Sequence, residues 1–191
     1  MQRSATIIIL SILAILLPHG AVAQTAYPDP GGDKEARGYT SAVGEYFRIP
    51  PKDLAFIKDR HIPDEEIPVV CFISQRARVE PAAIVDLRMQ GQSWMDISMH
   101  YGLGPEPYYV PAKEIHGSPY ERTYGHYTGK PRKDWKKIYL SDDDIVNLVN
   151  LRFITEHYGC EPPDVMRMRG EGKSFMAITD QVRENPRRHR D

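Results

Sequence analysis

Two stretches of this chain carry the same helical spacing of apolar residues. Trp94, Ile97, Ser98 and Tyr101 follow i, i+3, i+4, i+7, and Phe175, Ile178, Thr179 and Val182 follow it again. Each set predicts one buried stripe of an amphipathic helix. Ser93 and Ser174 stand where an N-cap belongs, and Asp96 completes an S-x-x-D box in the first stretch. Ahead of each cap, Gly91 and Gly172 suit the φ > 0 turn that ends a preceding helix. Pro81 and Pro162 suit that helix's first turn. Gly102, with Leu103 behind it, closes the first amphipathic helix.

With Ser93 placed on Ser174, Glu80, Pro81, Arg88, Gly91, Met95 and Ile97 meet identical residues: Glu161, Pro162, Arg169, Gly172, Met176 and Ile178. A third helix precedes each pair. Its starts are PDEEI (Pro63–Ile67) and SDDDI (Ser141–Ile145), and Ser141 with Asp144 makes another capping box. The helices that follow, IPVVCFISQRA and IVNLVNLRFITEH, are apolar nearly all round and so are read as central. Their alignment leaves extra residues in the second copy, expected as a longer loop near Thr155–His157. The reading is an all-α domain of two tandem three-helix repeats, copy one over 45–103 and copy two over 138–182. Its expected core is Val70, Ile73, Ile84, Leu87, Trp94, Ile97, Leu148, Val149, Val165, Met168, Phe175 and Ile178.

The flanks read differently. Residues 1–23 look like a secretory signal peptide: Arg3, an apolar run from Ile7 to Leu17, then Ala21-Val22-Ala23 as a cleavage site. That run is too short for an ordinary membrane span. Residues 24–44, rich in Gly and Pro, are expected to be a disordered leader. Glu45–Pro50 reads as a short extended segment. KDLAFIKDR then reads as a short helix started by Pro51, docking Leu54, Ile57 and Phe56. Residues 183–191 form a basic tail.

Between the copies, residues 104–137 form a Tyr-rich insert with no apparent helical period. Tyr108–Val110 and Ile138–Leu140 are read as two short strands of a flap. A long loop in a compact domain is often functional. From Pro111 to Lys137 it holds seven Lys/Arg against three Asp/Glu. Tyr108, Tyr109, Tyr120, Tyr124, Tyr127, Lys130 and Arg132 are the expected contact residues, since tyrosines offer rigid amphipathic area.

Charge narrows the partners. Without residues 1–23 the chain has 24 Lys/Arg and 26 Asp/Glu, a near balance that does not point to nucleic acid or an anionic membrane. The helix–turn–helix units lack a basic recognition helix, presenting Met95, Asp96 and Met99, or Met176 and Ala177. Gly172-Lys173-Ser174 lacks the earlier Gly of a phosphate loop, because Arg167 stands there. The acidic triplets at 64–66 and 142–144 lack calcium-loop spacing and read as helix starts. An exported chain permits a disulfide between Cys71 and Cys160, whereas their repeat partners, Val149 and Val79, mark both as core positions.

No catalytic constellation emerges, and no cofactor is implied. The expectation is an exported bacterial protein of the periplasm or exterior, binding an envelope protein or wall polymer through the insert. The alternative is a small periplasmic hydrolase or metal-binding protein using His116 and His126.

Overall fold

The structure is a computed structural model that describes residues 30–184. The signal-peptide reading, residues 24–29 of the leader and most of the basic tail lie outside that range. Among the described residues there are nine α-helices, three 3₁₀ turns and no strand. No described helix is long and apolar enough to cross a membrane.

Two helices form the centre. Helix α3 (Ile67–Ala77) buries every residue from Ile67 to Ser74, and α7 (Asp142–Tyr158) buries Ile145, Leu148, Val149, Leu151, Phe153 and Ile154. They pack on each other, as their all-round apolar sequences require. The pairs α4 (Pro81–Met89) with α5 (Trp94–His100), and α8 (Pro162–Gly170) with α9 (Phe175–Glu184), lie against this centre. Eleven of the twelve expected core residues are buried; Leu87 is partly exposed.

Local chemistry sets the boundaries. Pro81 and Pro162 occupy the first helical turn, where no N–H partner is needed. Gly91 and Gly172 adopt φ of 84° and 90°. The hydroxyls of Ser93 and Ser174 accept from the N–H groups of Asp96 and Ala177, each at 3.1 Å. Ser141 and Asp144 form a complete capping box, whereas Asp96 accepts from the Ser93 hydroxyl and the Tyr139 hydroxyl instead. At Gly102 the chain turns with φ 74°, and the Leu103 N–H reaches back to the Ser98 carbonyl at 2.8 Å.

Four expectations about the helices and flanks are corrected. The extra residues of the second copy lengthen α7 rather than a loop: α7 runs 17 residues, against a 3₁₀ turn of 3 (Asp64–Glu66) plus 11 in α3. The disordered leader does not hold from residue 30 onward, because Pro30–Phe47 is helix α1. Tyr39, Ala42, Val43 and Phe47 form its buried stripe, and the Tyr39 hydroxyl donates to Asn150 Oδ1 in α7. The same helix takes in Glu45–Phe47, and Arg48 (φ 53°) then turns the chain into Pro50 and α2 (Pro51–Asp59). Finally, α9 reaches Glu184, so Arg183 belongs to a helix and pairs with Asp180.

The insert is ordered and helical, and the two-stranded flap is absent among the described residues. It holds a 3₁₀ turn at Glu106–Tyr108, helix α6 (Ser118–Gly125) and a 3₁₀ turn at Arg132–Lys137. Helix α6 meets α8 where Gly117 and Gly170 pass so closely that a Cβ on either would come to 3.0 Å of the other's Cα.

Candidate functional site

The two identical arginines of the aligned stretches do the same work. Arg88 ends α4, donates to the Gln92 carbonyl at 3.1 Å and lies 4.4 Å above the Trp94 ring. Arg169, near the end of α8, donates to the Lys173 carbonyl at 3.0 Å and lies 4.3 Å above the Phe175 ring. Each is held by carboxylates from the acidic helix starts. Glu66 takes Arg88 in a two-point contact at 3.1 Å, and Asp142 takes it at 2.6 Å. Glu65 takes Arg169 at 3.1 and 3.5 Å. Asp142 also accepts the Trp94 N–H at 2.7 Å, and Glu65 accepts the Phe175 N–H at 2.8 Å. Each acid thus satisfies the first exposed N–H of a helix from the other half of the chain. Burial alone would lower the Arg88 pKa, and its two carboxylates outweigh that and raise it. Glu65, Glu66 and Asp142 of the acidic triplets are thus structural.

The tyrosines chosen as contact residues mostly point inward. Tyr108, Tyr120, Tyr124 and Tyr127 are at most 5% exposed, so they are not available to a partner. Their hydroxyls are consumed inside: Tyr108 with Ser98, Tyr124 to the Val110 carbonyl, Tyr127 to the Pro105 carbonyl at 2.9 Å, Tyr120 to the Asn147 carbonyl at 3.4 Å. Tyr109 is half-buried and packs at a tilt against Tyr127 and Trp135, at centroid distances of 5.1 and 4.8 Å. Together they form a small aromatic core beneath the insert. Arg152 of α7 ties it down through the carbonyls of Pro107 and Tyr109, at 3.1 and 2.8 Å.

The basic members of the set stay outside. Lys130 and Arg132 are exposed, and so are Lys133, Lys136 and Lys137. Arg132 pairs with Glu106 at 3.3 Å and Lys137 with Asp134 at 3.0 Å. Lys130, Lys133 and Lys136 form no ion pair among the described residues. This ledge borders a groove of about 420 Å³, whose other wall is Gly102–Pro107.

The two insert histidines have separate partners. His116 meets Glu114 at 3.1 Å and His126 meets Asp144 at 3.4 Å. No set of three or more His, Cys, Asp or Glu among the described residues is arranged to hold a metal ion. Asp144 is buried, which would raise its pKa. The hydroxyls of Thr123 and Ser141, the Ser141 N–H and His126 outweigh this and hold it below the ordinary carboxylate value. Cys71 and Cys160 are buried free thiols. Burial pushes the Cys71 thiol far up and that of Cys160 to about 11, so neither is a reactive thiolate at neutral pH.

Sequence reasoning passed over a polar cleft beside Arg169. It is lined by the 3₁₀ turn at 64–66, Ser118 and Arg122 of α6, Asp143 and Asn147 of α7, and Met176. Its lining comes from segments far apart in sequence, which no local motif reveals. No family model, curated protein or solved structure matches the chain.

Proposed function

We propose that this chain is an exported, non-catalytic envelope protein that binds an acidic partner, a protein or a wall polymer, through the basic ledge of its insert. The observation that carries the reading is the row of exposed cations at Lys130, Arg132, Lys133, Lys136 and Lys137. All but Lys130 sit on the 3₁₀ turn Arg132–Lys137, and Trp135 anchors it from below, its indole N–H donating to the Lys130 carbonyl at 3.0 Å. A charged row on a rigid support steers and orients an anionic surface. The signal-like residues 1–23 support export to the periplasm or beyond. The body is a duplicated three-helix unit, a reading supported by the identical residues of the two stretches and by the matching roles of Arg88 and Arg169.

Charge changes test this, with circular dichroism and melting as checks that the aromatic core survives the loss of Arg132, whose guanidinium lies 5.1 Å from the Trp135 ring centre. The intact protein and a variant with Lys130, Arg132, Lys133, Lys136 and Lys137 changed to Ser would be compared in two assays. One is co-sedimentation with purified wall material, and the other is in-cell crosslinking. Retention of the intact protein alone, weakening as salt rises, is the expected result. Equal retention of both proteins would overturn the reading.

A further inference from the structure

The cleft beside Arg169 encloses about 640 Å³. That lies within the roughly 300–1,000 Å³ of small-molecule sites. Its walls differ in chemistry. On one, α6 begins without a cap: Gly117 offers no side chain and no side chain bonds the first turn. Ser118 lines the cavity there, and Arg122, one turn further on the same helix face, lines it too. Pro119 has no N–H and the Tyr120 N–H is taken by the Gly117 carbonyl at 3.0 Å, so the groups that favour a carboxylate here are the Ser118 hydroxyl and the Arg122 guanidinium, whose Nε lies 3.8 Å from Asp144.

Another wall is acidic. Glu65 and Glu66 are committed to Arg169 and Arg88. Asp143 is exposed at the cleft and forms no ion pair among the described residues, and Asp64 has only a 3.8 Å contact with Lys58. Between these regions sits Asn147, only 5% exposed. Its Oδ1 accepts from Arg169 Nε at 3.4 Å, while its amide nitrogen has no acceptor among the described residues. That nitrogen is not one of the enclosed unpartnered groups; it opens onto the cleft that Asn147 lines, where a ligand acceptor can replace water. Val146 and Met176 supply apolar surface.

We propose that this cleft binds a free amino acid or short peptide in its zwitterionic form. The α-carboxylate meets Ser118 and Arg122, the ammonium meets Asp143 and Asp64, and Asn147 donates to a peptide carbonyl or, in a free amino acid, to a carboxylate oxygen. The site is independent of the basic ledge, so the ledge variant retains it.

The full chain would be titrated calorimetrically and melted with trialanine and with each common amino acid. N-acetyl-trialanine, which lacks the ammonium, and trialanine amide, which lacks the carboxylate, are the controls. At least one zwitterion should bind and raise the melting temperature, and its blocked forms should bind at least about tenfold more weakly. Arg122→Gln and Asp143→Asn should each weaken it by a similar factor, with an unchanged circular dichroism spectrum. Binding by no zwitterion, equal binding of blocked and unblocked forms, or binding indifferent to both substitutions would each overturn the proposal.

Discussion

The carboxylate of Asp142 touches Arg88 and the Trp94 N–H at once, at 2.6 and 2.7 Å. One acid from the start of α7 therefore fixes a guanidinium and completes the start of α5. Asp142→Ala should cost about 2–3 kcal/mol, because it leaves a half-buried arginine and a helix N–H short of a partner. Asp142→Asn keeps the acceptor for Trp94 and should cost less. Urea melts of both variants check the order, and equal losses would mean that the N–H contact contributes nothing.

The crossing of α6 and α8 depends on two glycines. Gly170→Ala introduces a methyl at 3.0 Å from the Gly117 backbone and should force the helices apart. Gly117→Ala adds the same clash and a left-handed backbone at φ 83°. It should therefore be the worse of the two, by about 1–2 kcal/mol. Thermal melting of the pair decides it.

Helix α3 ends at Arg78 with φ 58°, and α7 ends at Gly159 with φ 67°. The conformation is the same, but only glycine adopts it without cost. The Arg78 side chain is exposed. Arg78→Gly should stabilise the protein by about 0.5 kcal/mol, since relief of left-handed strain exceeds the entropy added to the unfolded chain. A lower melting temperature would show that the side chain holds something in place.

Acid stability should track Asp144. Its carboxyl is held lower in the folded chain than in the unfolded one, so the unfolded state takes up the extra proton first as pH falls. The stabilisation is complete above the ordinary aspartate value of about 3.9 and is lost as pH drops from there toward the folded value. Asp144→Asn should be less stable at neutral pH and should show a shallower acid limb in denaturant melts at stepped pH.

The insert is part of the fold, and removing it should unfold more than itself. Tyr108→Ala would empty a fully enclosed site against Phe72 and strip Ser98 of a partner. A loss of about 3–5 kcal/mol is expected, measured by urea melting. A surface tyrosine would lose far less.

Helix ends were the most legible feature of the sequence, because caps and φ > 0 glycines act within a few residues. Ser93, Gly91, Ser141 and Pro162 all sit where local chemistry places them. Helix α6 was missed for a physical reason. Its stripe is Tyr120, Thr123 and Tyr124, continued by Tyr127 in the turn past the helix end, but hydroxyl-bearing residues look solvated until buried carbonyls accept from them. In α1, Tyr39, Val43 and Phe47 were masked by neighbouring glycines. The two basic members of the candidate contact set, Lys130 and Arg132, are exposed, since long charged side chains rarely bury. The cleft could not be read at all, as its parts meet only after folding.

Trp94 lies 48 residues before the acid that caps it, and Phe175 lies 110 residues after its own. During synthesis, then, the first helix–turn–helix leaves the ribosome well before Asp142 exists. Its helix start stays open until α7 arrives, so the first half gains little by folding early. Assembly from long-range contacts of this kind is slow and late. A chain built in this way completes the starts of both helices only once its two halves are present together.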